Sequence, residues 1–215
     1  MPDLRPLDIC QIFDGHLWQR TILLAKHNAR FDVGLRMLET QERQGGKMRL
    51  KPILDACCGS RMFWFDARNP NVLFVDNRRL DTQPIWKSGN GKAVRYCTVD
   101  PDLVADFRHL PFPDKSFWHI VFDPPHLRSA GDNAWMTKKY GKLPKDWKPL
   151  IHDGFHECWR VLKTNGTLIF KWNEDQIPVR EIIDCIGVQP LYGHKSGRLS
   201  KTHWMAFVKT KTGGK

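Results

Sequence analysis

A chain of 215 residues with 41% hydrophobic side chains can bury one good core and fits one domain with extensions. No stretch approaches the roughly 18 apolar residues of a membrane span, and six cysteines, two of them adjacent, make neither a disulfide framework nor a CxxC metal pattern. The formal charge of +11 points to an anionic partner: from His126 onward 16 Lys or Arg stand against 8 Asp or Glu, so +8 of the +11 lies there.

The opening residues Met1 to Asp8 carry charges and prolines rather than the apolar core of a signal peptide, so a reducing, cytoplasmic setting with packing thiols is expected. Residues 1–50 read as a helical extension. Over 9–41, Ile12, Trp18, Ile22, Leu23, Ala25, Val33, Leu35 and Leu38 recur at spacings of three and four, until the polar run Gln41 to Lys47 breaks the pattern. Residues 51–210 then alternate strands with helices. Pro52 to Ala56 is a first short apolar run, with a helix expected over Met62 to Ala67. Val72 to Val75 is a second strand ending in Asp76. Gly89-Asn90-Gly91 marks a tight turn, and Ala93 to Val99 an extra extended segment. Val104-Ala105 and His119 to Phe122 are the third and fourth strands.

Residues 127–149 form a long basic insertion, read as a lid over the substrate, in which core burial explains Trp135 and Trp147 poorly. Leu150 to Lys163 reads as a helix with Ile151, Phe155, Cys158, Trp159 and Leu162 on one face, stopped by Asn165-Gly166. Thr167 to Trp172 is the fifth strand and Val179 to Ile186 a short helix. Val188 to Tyr192 and Trp204 to Val208 make a closing hairpin, and 211–215 is a basic tail. This alternation implies an α/β fold: a Rossmann-like, doubly wound, mostly parallel seven-stranded sheet with an antiparallel strand from the C-terminal hairpin.

Three strands end in acids. Asp55 leads into the small-residue turn Ala56-Cys57-Cys58-Gly59. Asp76, followed by Asn77, comes 21 residues later, near the ~20-residue offset at which a strand-two acid bonds ribose hydroxyls. Asp106-Phe107 ends the third strand. A pyrophosphate site wants G-x-G-x-x-G, but here those positions are Cys57, Gly59 and Arg61, so the carboxylates suit a nucleoside and a cationic amino-acid head instead. Asp123-Pro124-Pro125-His126 closes the fourth strand. Two prolines remove two donors and stiffen the turn, leaving a carboxylate and a carbonyl as two acceptors for a planar amino group. His152 and His156 stand at i and i+4, but with Asp153 between them and no third ligand no metal site is expected.

Leu54-Asp55-Ala56-Cys57-Cys58-Gly59-Ser60, Val75-Asp76, Ala105-Asp106-Phe107 with Leu110 to Phe117, Asp123-Pro124-Pro125-His126, and Trp159 to Lys163 with Asn165-Gly166-Thr167 follow one another in an order that resembles the class I S-adenosylmethionine-dependent methyltransferases, over roughly residues 52–210. More narrowly, the chain resembles small phage- or prophage-borne enzymes with Cys-Gly-Ser-Arg in the first motif and Asp-Pro-Pro-His (DPPH) in the fourth. The resemblance implies S-adenosyl-L-methionine as cofactor. Asp55, Ala56, Cys57 and Gly59 would meet its methionine end, Asp76 and Asn77 its ribose, and Asp106 and Phe107 its adenine. Arg61 stands where the family has glycine, and would pair with the cofactor carboxylate or a substrate phosphate. It further implies that Asp123, Pro124, Pro125 and His126 carry catalysis on an exocyclic amino group of a nucleic-acid base, adenine N6 first, with His126 stacking on the target.

DNA or RNA would be met by the segments after the fourth, fifth and later strands, through Arg128, Trp135, Lys138, Lys139, Tyr140, Lys195, Arg198 and Lys201. No separate recognition domain is evident, which leaves specificity to the insertion, the N-terminal extension or a partner subunit. Two other readings stand beside this one: a methyltransferase for a small molecule or protein side chain, and a catalytically silent module of the same fold that only binds nucleic acid or protein.

Overall fold

The computed structural model describes residues 50–197 and 199–211. The helical extension expected over 9–41, the residue Arg198 and most of the basic tail lie outside them. The chain divides into two units, Met1–Leu50 and Lys51–Lys215, and every element named below belongs to the second.

Nine strands form. β1 (Ile53–Asp55), β2 (Val72–Asp76), β5 (Leu103–Val104), β6 (Phe117–Phe122), β7 (Leu162–Asn173), β8 (Tyr192–Lys195) and β9 (Thr202–Val208) make one sheet in the order β5-β2-β1-β6-β7-β9-β8. The first five in that order run parallel, and β9 lies antiparallel between β7 and β8. This is the mostly parallel, Rossmann-like seven-stranded sheet expected. β3 (Leu80–Lys87) and β4 (Val94–Val99) form a separate antiparallel hairpin around the Gly89-Asn90-Gly91 turn. Parallel central strands are covered on both faces, and every residue of β2 is accordingly buried.

Three helices are described: α1 (Trp135–Tyr140), α2 (Lys148–Val161) and α3 (Val179–Ile186). α2 buries Ile151, Phe155, Cys158 and Val161 at helical spacing. Phe155 meets Phe170 of β7 at 6.2 Å and Phe207 of β9 at 5.1 Å between ring centroids, so alternate residues of both strands face this helix. Pro149 sits in the first turn of α2, where no intrahelical donor is needed. α3 ends at Gly187, whose φ of 68° suits a residue without a side chain.

The structure corrects several expectations. No helix forms over Met62 to Ala67; a run of turns replaces it. There Arg61 takes a φ of 57°, and its guanidinium bonds the Ala67 and Asp100 carbonyls and Asp102 while lying 4.0 Å over the Phe74 ring. This side chain ties the loop to the segment between β4 and β5. Asn165-Gly166 does not stop a helix. β7 already begins at Leu162, and Asn165, with φ 64°, lies where its register against β6 shifts. The penultimate strand starts at Tyr192, not Val188. Trp147 is core after all, with 5% of its surface exposed. Among the described residues, no helix is long and apolar enough to cross a membrane.

Candidate active site

The tips of β2, β1 and β6 are neighbours, and the turn leaving β1 crosses all three. The Ala56 amide donates to the Val121 carbonyl of β6 at 3.0 Å, the Cys58 amide to Val75 of β2 at 2.8 Å, and the Gly59 amide to the Asp76 carboxylate at 2.9 Å. Asp55, Asp76 and Asp123 therefore gather at one point of the sheet edge, close enough that Asp76 and Asp123 both raise the Asp55 pKa.

Asp55 is fully buried and accepts from the Cys57 amide at 3.3 Å and the Trp64 indole N–H at 2.7 Å. No cation pairs with it among the described residues. Burial, only partly offset by these two bonds, pushes it up to about 7, a direction that desolvation of an anion dictates. Asp76 is equally buried but well supplied: the Gly59 amide takes Oδ2, and the Arg78 amide and Nε take Oδ1. Asn77 beside it is exposed.

Cys57, where the resemblance expects glycine, fills a specific place. Its Sγ accepts the Asp123 amide at 3.1 Å, bonding the first turn to the fourth. Burial pushes its thiol well up, and Asp55 and Asp123 add to that, so it stays protonated and unreactive. Gly59, at φ 49°, leaves open space where a side chain would stand.

Asp123 is half-buried. Its Oδ2 accepts from Lys171 Nζ at 2.6 Å. Among the described residues no donor reaches its Oδ1 or the Pro124 carbonyl. Both acceptors are thus free of protein donors among the described residues, and Pro125 packs near Gly141 at the end of α1. His126 lies 5.9 Å from the Tyr140 ring and 6.4 Å from Trp172 between centroids, and burial holds its imidazole below the usual range.

The third acid differs. Burial would raise Asp106, yet it is forked by Arg108, with Nη2 at 2.6 Å, and the guanidinium holds it below the ordinary carboxylate range. Phe107 is buried edge-on to Phe122 and pressed against Gly154 of α2.

The basic rim is less free than its charge suggests. Lys195 pairs with Glu174 at 2.6 Å, Lys142 with Asp132 at 2.9 Å, and Lys201 with Asp175. Glu174, holding Lys195 and lying 2.9 Å from His203, is pulled down to about 2. Trp135 is half-buried against Ile85, Cys97 and Val99 of the β3–β4 hairpin. Lys139 stands 5.2 Å over the Tyr140 ring, and Arg128 and Lys138 have no carboxylate partner among the described residues. His152 bonds Asp153 and His156 the Ile186 carbonyl, and no group of metal-ligating side chains occurs among the described residues.

Sequence reasoning missed Lys171 as the partner of Asp123. The signal was present: both follow the last paired residues of adjacent strands, Phe122 and Phe170. It also missed Trp64, Arg78 and the Cys57 thiol, whose partners only the folded loop brings near.

Fold and strand-tip site together define an α/β sheet protein with acids gathered along one sheet edge. No protein-family model matches the chain, and no curated protein matches it in sequence. Among solved structures it is similar to the PH0226 protein of Pyrococcus horikoshii (14% identity, covering 86% of this chain and 92% of that one, TM-score 0.44). It is also similar to a SAM-dependent methyltransferase from Leishmania major (13% identity, 86% and 75% covered, TM-score 0.40). At these scores the likeness is loose, and what the site does has to come from its own residues.

Proposed function

We propose that this chain is an S-adenosylmethionine-dependent methyltransferase acting on an exocyclic amino group of a nucleic-acid base, adenine N6 first. The observation that carries the reading is a pair of acceptors that no donor reaches among the described residues, Asp123 Oδ1 and the Pro124 carbonyl, near the buried Asp55. The residues fit the cofactor at one decisive place. Among the described residues Asp55 is a buried acid without a cation, which a ligand bearing an ammonium and a sulfonium would supply. Asp76 would meet ribose hydroxyls only by sharing oxygens already bonded to Gly59 and Arg78.

Bound S-adenosylmethionine would supply the methyl group: a nitrogen lone pair forms the N–C bond as the S–C bond breaks with its pair on sulfur, and one N–H proton then leaves. The protein's part is positioning and electrostatics. An exocyclic amine is a poor nucleophile because its lone pair is delocalised into the ring. Two acceptors on its N–H groups favour a pyramidal nitrogen and stabilise the positive charge developing there. His126, walled by Tyr140 and Trp172, would stack on the base. A base within a duplex would have to be extruded to reach this pocket.

A second reading, a small molecule or protein side chain as acceptor, draws support from the ion pairs that occupy Lys142, Lys195 and Lys201. Incubation with labelled cofactor and separate pools of DNA, tRNA and rRNA, digested to nucleosides for mass spectrometry, decides between them. Labelled N6-methyladenosine or its deoxy form is the expected product. Asp123→Ala should keep cofactor binding by calorimetry and lose at least 100-fold in transfer, on the order of a lost transition-state acceptor. Full activity in that variant would remove the proposal.

A further inference from the structure

We infer that Lys171 is a positioning residue for the Asp123 carboxylate, its ammonium pinning Oδ2 so that Oδ1 is left as the acceptor for the substrate amino group. The inference rests on the reading of Asp123 above. Its basis is geometric. β6 and β7 are parallel neighbours whose last paired residues, Phe122 and Phe170, turn their rings toward one another at 4.9 Å on the α2 side. The next residue on each strand projects to the opposite face, which places Lys171 beside Asp123, and the two close to 2.6 Å. Trp204 is the β9 partner of Lys171 in register, with its ring 5.8 Å from the ammonium. Phe63, from the loop after β1, backs that ring at 4.8 Å. The ion pair is thus flanked by aromatic rings, and each side chain keeps only 29% of its surface exposed.

The chemistry of the acceptor explains why a cation is needed there. Ionised, the carboxylate only accepts; protonated, it carries one O–H donor and accepts more weakly, and with Lys171 on Oδ2 that proton would sit on Oδ1 and set a donor against the amine. Burial pushes Asp123 toward protonation, and Lys171, then His126, oppose that. The groups facing it are Asp55 from β1, Cys57 from the following turn, His126 from its own loop and Lys171 from β7, with Asp175 acting in turn on His126. Asp55 and Cys57 bring no positive charge, and burial keeps His126 mostly neutral. Among the described residues, Lys171 is the cation that pairs with Asp123. It is therefore not a free phosphate contact, the role its place on a basic edge suggests.

The test uses the full chain with Lys171→Met, which keeps an apolar stem in place, and Lys171→Arg, which restores the charge. The Asp123 carboxyl is titrated by carbon-13 NMR, and methyl transfer is followed against pH. Lys171→Met should raise the Asp123 midpoint by roughly one to three pH units, the usual effect of one adjacent opposite charge, and carry the acid limb of kcat/KM up with it. kcat should fall while KM changes little, and Lys171→Arg should restore the wild-type limb. An unmoved midpoint, or a moved midpoint with an unmoved acid limb, overturns the inference. The parent reading fails separately: Asp123→Ala that still transfers methyl removes Asp123 from catalysis, whatever Lys171 does. A dead Asp123→Ala beside an indifferent Lys171→Met sinks the lysine alone.

Discussion

At the scale of single residues, the most consequential group is the one without a charge partner. Asp55 is held at about 7 in the folded protein against an ordinary value near 3.8, so between those limits the native state binds a proton that the unfolded chain has released. Stability from this group is complete below pH 4 and is lost as pH rises through 7, with a slope of up to about 1.4 kcal/mol per pH unit. Asp55→Asn cannot titrate. Whatever constant penalty it carries for presenting a donor to the Trp64 indole, the difference in unfolding free energy should shift in the variant's favour from pH 5 to pH 8. Denaturant titrations at the two pH values measure this, and a difference that stays constant would mean Asp55 is ionised throughout. The acids at strand tips were legible from the sequence because strand ends and charges are both local signals. Their partners were not. Trp64 lies nine residues from Asp55 and Arg61 about forty from Asp100 and Asp102, and no periodicity predicts where such side chains land.

At the scale of elements, the insertion after His126 depends on the β3–β4 hairpin. α1 has six residues, no side-chain cap and no acid in its first turn, so it is too short to hold itself in water. What holds it is tertiary: Trp135 packs on Ile85, Cys97 and Val99, and the Arg95 guanidinium lies 5.1 Å from Trp86 and 5.2 Å from Trp135. The sequence showed half of this hairpin. β4 was visible after its glycine turn, while β3, carrying Asp81, Thr82, Gln83 and Pro84, has neither alternation nor an apolar run. Gly154 shows the opposite case. A glycine inside a helix looks like a weakness, yet a Cβ there would stand 2.5 Å from the Phe107 ring, so close packing requires it. Arg95→Ala should remove two cation–π contacts of about 0.5–1 kcal/mol each and loosen α1. Hydrogen exchange should quicken over residues 135–141 and remain slow in β2 and β6. Equal loss of protection everywhere would make Arg95 a general stability residue, and no change would cut the link between hairpin and insertion.

For the whole molecule, the question is how much of the +11 is available to a partner. Fold class followed from alternation of apolar runs and helical stripes, which are properties of composition along the chain. Charge availability is not such a property, since it depends on which carboxylates meet which lysines. Lys195 and Lys201, expected at a substrate surface, close onto Glu174 and Asp175, and Lys142 of the insertion onto Asp132. On the insertion, Arg128, Lys138, Lys139 and Lys145 keep no carboxylate partner among the described residues. Each phosphate neutralised on a single strand contributes about −0.7 to the slope of log K against log salt, so four cations give a slope of about −3. Binding of a labelled oligonucleotide, measured by anisotropy across a salt series, should show that value. Lys138→Ala with Lys139→Ala should flatten it by about 1.4 while leaving cofactor affinity unchanged, because Lys138 meets Arg78 beside Asp76 only through its backbone carbonyl and neither side chain pairs with a strand-tip carboxylate among the described residues. A slope near zero would mean that the insertion's charge serves solubility, and would move the acceptor from nucleic acid to a small molecule or a protein side chain.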